Sequence, residues 1–305
     1  MELTKKEIIN IISNWDIGKL KNYELLYSHW NLSYKIITSK GKFILKILTM
    51  QKEKILKKEL KILSLLKNKI PTRSFIKSKS GKDYLIIKSY PVLILEFVEG
   101  IILKNGSKAS LNILKQLGRY LALIHQTNYN MSGTTNVLKQ ISEIMKKINK
   151  NSLEYESLYK CMSIIKRRGF DKQQFPKGVI HMDIHTENMI VKNDKIVVIL
   201  DFEDANINYF IYDIGLVLLD TCFVKNKILS EKRMKAFLKS YEKIRPLTSL
   251  EKKYLYDAML INWARILYYS LVKNGVKSDI LKTWFMRDYF NRVNSLISIM
   301  EKKGV

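Results

Sequence analysis

Residues 178–191 read Gly-Val-Ile-His-Met-Asp-Ile-His-Thr-Glu-Asn-Met-Ile-Val, and Ile-Leu-Asp-Phe-Glu follows at 199–203. The first stretch holds His181, Asp183 and Asn188 as H-x-D-x-x-x-x-N. From the residue frequencies of the chain, on the order of 0.01 matches to this pattern arise by chance, so coincidence explains it poorly. Two apolar runs, Met-Ile-Val and Ile-Val-Val-Ile-Leu, flank Lys192-Asn193-Asp194-Lys195 and predict a β-hairpin over 189–200. Its strands leave Asn188 and return to Asp201, and paired strands lie about 5 Å apart. An amide oxygen beside a carboxylate suits Mg²⁺, which takes a few protein oxygens and leaves other positions to water and phosphate. Asp183, on the loop entering the hairpin, is placed to orient an attacking hydroxyl and to accept its proton late in phosphoryl transfer.

Upstream, the chain predicts a mainly β half. Thr4 and Glu7 have capping-box spacing before an amphipathic helix over 5–16. Segments 23–28, 33–38 and 42–48 read as an antiparallel strand series, followed by a helix over 52–67 and strands near 83–88 and 92–97. Beyond Glu99-Gly100 the periodicity becomes helical over 110–126, 136–165, 231–244, 249–273 and 280–300. The fold class expected is α+β in two lobes: an antiparallel sheet with one main helix, then a mainly helical lobe carrying the catalytic hairpin. The boundaries expected are 1–95 for the first lobe, 96–100 for a hinge and 101–305 for the second.

The formal charge of +26 invites a nucleic-acid reading. The basic residues are spread along the whole chain, however, and even residues 52–82, with ten Lys and one Arg, fit an amphipathic helix with a lysine-rich wet face. No nucleic-acid partner is therefore expected. No window approaches the roughly 18 apolar residues of a membrane span, no secretory signal opens the chain, and Cys161 and Cys222 are its only cysteines. A cytoplasmic protein with no membrane partner is expected. The oligomeric state is left open. Four histidines and two cysteines show no zinc spacing.

The order of elements and these motif residues resemble the family of aminoglycoside phosphotransferases, choline kinases and homoserine kinases, relatives of protein kinases, over nearly the whole chain. The resemblance implies an ATP- and Mg²⁺-dependent phosphotransferase acting on a small-molecule hydroxyl. It makes Asp183 the catalytic aspartate, His181 a support of its loop, Asn188 and Asp201 the metal ligands, and Asp213 a brace of the loop. Lys46 stands where the family places its nucleotide lysine. A charge on an otherwise core-facing strand requires a carboxylate partner, with Glu59 the first choice and Glu53 the reserve. Adenine is expected against backbone groups of Glu96 and Val98 in the hinge. The turn over the phosphates, Tyr27 to Tyr34, has no glycine, so Ser33 or Asn31 side chains are expected to donate there, with His29 a further contact. His125 reads as a packed or capping histidine, and His185 as support inside the loop.

The nearest likeness is to homoserine kinases, carried by Lys42-Phe-Ile-Leu-Lys-Ile-Leu, Gly178-Val-Ile-His-x-Asp, Tyr212-Asp-Ile-Gly-Leu-Val-Leu-Leu-Asp-Thr-Cys-Phe and Ser240-Tyr-Glu-Lys-Ile-Arg-Pro-Leu-Thr-Ser-Leu-Glu, with Trp263 in a following helix. Leu219 and Thr221 depart from the Asn and Trp expected beside Asp220. Residues 201–220 carry five acids and no Lys or Arg. Glu203, Asp204 and Asp220 are accordingly expected to hold a substrate ammonium, and Arg265 a substrate carboxylate. Homoserine is the favoured acceptor. The alternatives are an aminoglycoside, choline or an amino sugar, or a non-catalytic coat-type relative.

Overall fold

The computed structural model describes residues 2–27, 31–49, 53–129, 136–225, 228–274, 281 and 283–304. These divide into two compact units. The first comprises the chain to Gly100, apart from 68–70, together with Val197–Glu203. It opens with helix α1 (Lys5–Ile12), capped by Thr4 and Glu7 in a reciprocal box. Strands β1 (Leu20–Tyr27), β2 (Leu32–Thr38) and β3 (Gly41–Ile47) follow, then α2 (Glu53–Leu66), β4 (Phe75–Ile76), β5 (Leu85–Ile87) and β6 (Tyr90–Glu96). The antiparallel sheet has the order β1-β2-β3-β6-β4, with β5 also on β6. Alternation on β2 buries Leu32, Tyr34 and Ile36 under α1, where Ile8, Ile11 and Ile12 complete the packing. The other face of β3 and β6 packs Ile44, Leu93 and Leu95 with Leu56 of α2. Trp15 pins the end of α1 through its indole N–H to the Ile76 carbonyl at 2.9 Å.

The second unit takes residues 68–70 and then β7 (Ile101–Ile102), α3 (Leu111–His125), α4 (Val137–Met145), α5 (Leu153–Arg168), β8 (Lys177–Ile180), β9 (Met189–Lys192), the first two residues of β10 (Lys195–Ile199), β11 (Asn206–Tyr209) and α6 (Phe210–Thr221). A small pair, β12 (Phe223–Val224) and β13 (Ile228–Leu229), precedes α7 (Glu231–Glu242), α8 (Ser249–Lys253), α9 (Leu255–Asn274) and α10 (Trp284–Lys302). Strands β10, β9 and β7 form one sheet, and β8 pairs with β11. Helix α6 is buried along its whole length, which is why its sequence is apolar without a wet face.

The hairpin β9–β10 turns through Asn193 and Asp194, both at positive φ. Its tip is tied to the start of α3: Ser110 and Asn112 donate to the Asp194 carboxylate, and Asn112 and Gln116 donate to its carbonyl. Two long periodicities are divided. The pattern over 136–165 forms α4 and α5, because Asn149 and Ser152 cap their own backbone between them and Ser152 restarts a helix. The pattern over 249–273 is interrupted at Tyr254, where α8 ends and α9 begins. Among the described residues no helix is long and apolar enough to cross a membrane.

Gly215 of α6 lies against α9, where an added Cβ would stand 2.6 Å from the Ala258 carbonyl carbon. Overpacking of this kind costs about 1–3 kcal/mol, partly offset by about 1 kcal/mol from the better helix propensity of alanine. Gly215→Ala should therefore lower unfolding free energy in urea titrations, and an unchanged or raised midpoint would contradict so close an approach.

Candidate active site

In the first unit, Lys46 projects from near the end of β3 opposite Ser33 of β2, so the two side chains share a face of the sheet. Its Nζ lies 3.2 Å from Asp201 Oδ1. Burial pulls the lysine down, but the charges of Asp201, Glu59 and Glu203 outweigh it and hold the ammonium above the ordinary lysine range. The ion pair thus falls on Asp201, with the buried Glu59 of α2 adding its field. The reserve partner Glu53 is engaged elsewhere, by Tyr84 and Lys57. Glu203 also belongs to this cluster, since its charge acts on Lys46 and its carbonyl accepts from Lys58 at 2.9 Å.

Glu96 ends β6, and its N–H donates to Ser74 at 3.0 Å; Val98 follows just beyond the strand. Asn31 is buried with an Oδ1 that meets no donor among the described residues. His29 lies outside the described residues. Sequence reasoning missed Arg73, whose buried Nε has no hydrogen-bond partner among the described residues. Burial lowers its pKa, with the charges of Asp201 and Glu96 opposing. Nothing in a lysine-rich chain marks it as different from other basic residues.

The second unit holds the H-x-D-x-x-x-x-N loop between β8 and β9. Asp213, on the first turn of the buried α6, accepts the His181 N–H at 2.7 Å and the Met182 N–H at 2.8 Å. Met182 has φ 71°, an unfavourable backbone for a side-chain-bearing residue that these bonds hold in place. His181 is fully buried, and its Nδ1 accepts the Asp183 N–H at 3.2 Å. Asn188 donates its amide N–H to both the carbonyl and Oδ2 of Asp183, each at 2.8 Å, which leaves its amide oxygen for another partner.

His185 Nε2 lies 3.5 Å from Asp183 Oδ2. Burial pulls the imidazole down, but Asp183 prevails and raises it to about 9. Burial likewise pushes Asp183 up, and the charges of His185, Arg265 and His181 overcome it, so the carboxylate stays well below the usual range. Asp183 is therefore ionised at neutral pH, a hydrogen-bond acceptor for a hydroxyl and only a weak base. That matches phosphoryl transfer, in which the nucleophile loses its proton late.

Arg265 on α9 is only 3% exposed and stacks over Tyr269 at 5.8 Å. Its Nε has no hydrogen-bond partner among the described residues. Tyr269 senses Asp204, Arg265 and Asp183 together, which groups the exposed Asp204 with them. Asp220 belongs elsewhere. It is buried, and its carboxylate accepts the Thr186 N–H at 2.9 Å and the Tyr289 hydroxyl at 3.0 Å, with Arg292 at 3.7 Å. The expected substrate contact is thus a second internal brace of the loop. Sequence reasoning could not see this, because Tyr289 and Arg292 arrive from α10, 69 residues or more away.

The model of the phosphotransferase enzyme family matches residues 29–247. The chain belongs to that family. This small-molecule kinase is 24% identical over 252 residues to the homoserine kinase of Methylobacillus flagellatus, covering 79% of this chain and 76% of that protein. It is 23% identical over 263 residues to the homoserine kinase of Rhodopseudomonas palustris, covering 82% and 79%. Among solved structures it resembles a microcompartment-associated aminopropanol kinase at TM-score 0.75 and 15% identity, covering 99% of both chains. A choline kinase of Streptococcus pneumoniae gives 0.69 and 19%, covering 96% and 99%, and a spectinomycin phosphotransferase solved with ADP and spectinomycin gives 0.67 and 13%, covering 99% and 100%. The fold is protein-kinase-like, as the sequence implied.

The pair Asp183–His185 makes a pH prediction for the protein free of metal and nucleotide. His185 is raised from an ordinary 6.5 to about 9, so its protonated form stabilises the fold fully below 6.5 and that contribution fades as pH rises through 9. Asp183 is depressed below 3.8, so its contribution is present above that value and lost as pH falls. The difference in Tm between wild type and His185→Asn should therefore be greatest near about pH 6 and close by about pH 10. A difference independent of pH would show that His185 acts by packing alone.

Proposed function

We propose that this kinase transfers the γ-phosphoryl group of ATP, with Mg²⁺, to the hydroxyl of L-homoserine. The observation that carries the acceptor is Arg265. A buried guanidinium with an unmet donor is costly to leave without an anion, and a substrate carboxylate supplies one in bidentate geometry. It acts on the same Asp183 that is placed to receive the hydroxyl. Asp204, grouped with Arg265 through Tyr269, is our choice for the substrate ammonium. The homoserine kinases of similar sequence support this reading. An amino alcohol without a carboxylate, or an aminoglycoside, would bring no acceptor for the unmet Nε of Arg265.

On this reading residues 1–95 form the nucleotide-binding lobe, 96–100 the hinge and 101–305 the acceptor lobe. Lys46, backed by Glu59, holds the nucleotide phosphates, with Ser33 on the same sheet face, and adenine meets backbone groups of Glu96 and Val98. The donor set fits Mg²⁺: Asn188 keeps its amide oxygen because its N–H groups are turned to Asp183, and Asp201 offers a carboxylate oxygen beyond the one paired with Lys46. When bound, the ion neutralises charge on the phosphates. Asp183 orients the attacking hydroxyl and His181 holds the Asp183 backbone. We place the enzyme in the cytoplasm, in keeping with two free buried thiols, both pushed up to about 12 by burial.

Two measurements test the proposal. With ATP and Mg²⁺, ADP release should be stimulated by L-homoserine far more than by 1-amino-2-propanol, choline or spectinomycin, and Arg265→Met should abolish that stimulation. Stimulation by choline or aminopropanol instead would remove the carboxylate from the assignment. Asp183→Asn should lower kcat by about a hundredfold or more with the nucleotide Kd nearly unchanged, because its role falls mainly in the transition state. An unaltered kcat would reject Asp183 as the catalytic residue.

A further inference from the structure

His125 closes α3 and is fully enclosed in the second unit, away from any part of the chemistry assigned above. Its Nε2 lies 3.1 Å from Asp213 Oδ2, and its Nδ1 lies 2.6 Å from the Tyr241 hydroxyl of α7. Tyr241 is buried and in turn accepts from Arg245 Nη1 at 3.0 Å. Arg245 Nη2 donates to Glu251 Oε1 at 2.9 Å, while the other oxygen of this buried glutamate accepts the Thr248 N–H at the cap of α8. The guanidinium also lies flat over Phe210 at 4.2 Å, and Phe210 stacks on the His125 ring at 4.6 Å.

The direction of every hydrogen bond in this series follows from what each group can give. Asp213 already accepts two backbone N–H groups and is held below the ordinary carboxylate range, where burial is outweighed by His125, so it has no proton to donate. The Nε2 atom facing it must carry the hydrogen. Burial lowers the imidazole, so the ring is neutral and Nδ1 is bare. The Tyr241 hydroxyl therefore donates to Nδ1, and its lone pair is left for Arg245. One chain of donors runs from Arg245 through Tyr241 and His125 into the carboxylate that holds His181 and Met182.

We infer that Tyr241, held by Arg245, is a positioning residue: its hydroxyl anchors the Nδ1 side of the His125 ring and through the ring the Asp213 carboxylate that sets the loop bearing Asp183. The inference rests on Asp183 as the catalytic residue, but on no particular acceptor. Losing the hydroxyl leaves Nδ1 buried without a donor, so the ring keeps its Nε2–H but loses the anchor that sets its tilt against Asp213. Asp213 then shifts, and displacement of a reacting group by a fraction of an ångström is expensive in rate.

Two measurements decide it. In ¹⁵N-labelled wild-type protein, the two-bond ¹⁵N–¹H correlations of His125 should report a neutral ring protonated on Nε2 alone; an Nδ1–H or doubly protonated ring overturns the inference and needs no variant to fold. Tyr241→Phe should then keep the Nε2–H tautomer, shift the His125 Nδ1 resonance by loss of its hydrogen bond, and lower the slow hydrolysis of MgATP to water by about tenfold, with the nucleotide Kd unchanged. Arg245→Met should lose as much, and the double variant no more than either single one, because the two act in series. Hydrolysis within about twofold of wild type in a folded Tyr241→Phe, or additive losses, overturns the inference. Failure of the catalytic reading would look different: Asp183→Asn would hydrolyse MgATP at the wild-type rate while the tautomer stayed as inferred.

Discussion

The loop that carries Asp183 depends on one buried carboxylate. Asp213 accepts two consecutive backbone N–H groups, from His181 and Met182, and meets His125 on the same side chain. Consecutive amides converge on a single acceptor only when the chain turns sharply, and here the turn places Met182 at φ 71°. A side chain with a Cβ resists that conformation, and two unmet buried amides would cost more than the strain they impose. The carboxylate is charged and desolvated, so it must itself be surrounded, which accounts for the neutral histidine and the apolar α6 around it. Conformation, burial and protonation at this point form one problem with one solution.

A second brace follows the same logic at the far side of the loop. Asp220, at the other end of α6, accepts the Thr186 N–H and is held by Tyr289 and Arg292. The two aspartates stand seven residues apart on one helix, two turns along its axis, and each captures a different part of the same loop. Between them Asp183 is left with His185 and the Asn188 amide as partners, an arrangement that keeps it ionised and directed.

The cations divide into two kinds. Lys46 and Arg245 are partly buried with carboxylates against them, at 3.2 Å and 2.9 Å. Arg265 and Arg73 each enclose an Nε that no acceptor meets among the described residues. In a chain of net charge +26 most basic residues lie in water, and charge counting cannot separate those that face solvent from those enclosed without an anion. Burial makes that distinction, and on the proposed reading the enclosed Nε of Arg265 is what an anionic acceptor would meet.

The sequence alone determined the two-lobed α+β architecture, the hairpin and the Asp183 motif, because these rest on local periods, a capping box and a turn, all within a few residues of one another. The family resemblance of the motifs also singled out Asp213 and Lys46, the latter supported by its place on an apolar strand. Tertiary structure decided the partners. Asp201 reaches Lys46 across 155 positions, Tyr289 reaches Asp220 across 69, and Tyr241 reaches His125 across 116. No local pattern records which acid closes on which cation, so Asp220 reads in sequence as an available carboxylate although it is fully engaged. Helix ends behaved likewise: apolar periodicity ran through 146–152, while the break there came from Asn149 and Ser152 capping their own backbone. Period and composition are carried by neighbours along the chain, whereas pairing, burial and proton placement arise only when distant segments exclude water from one another.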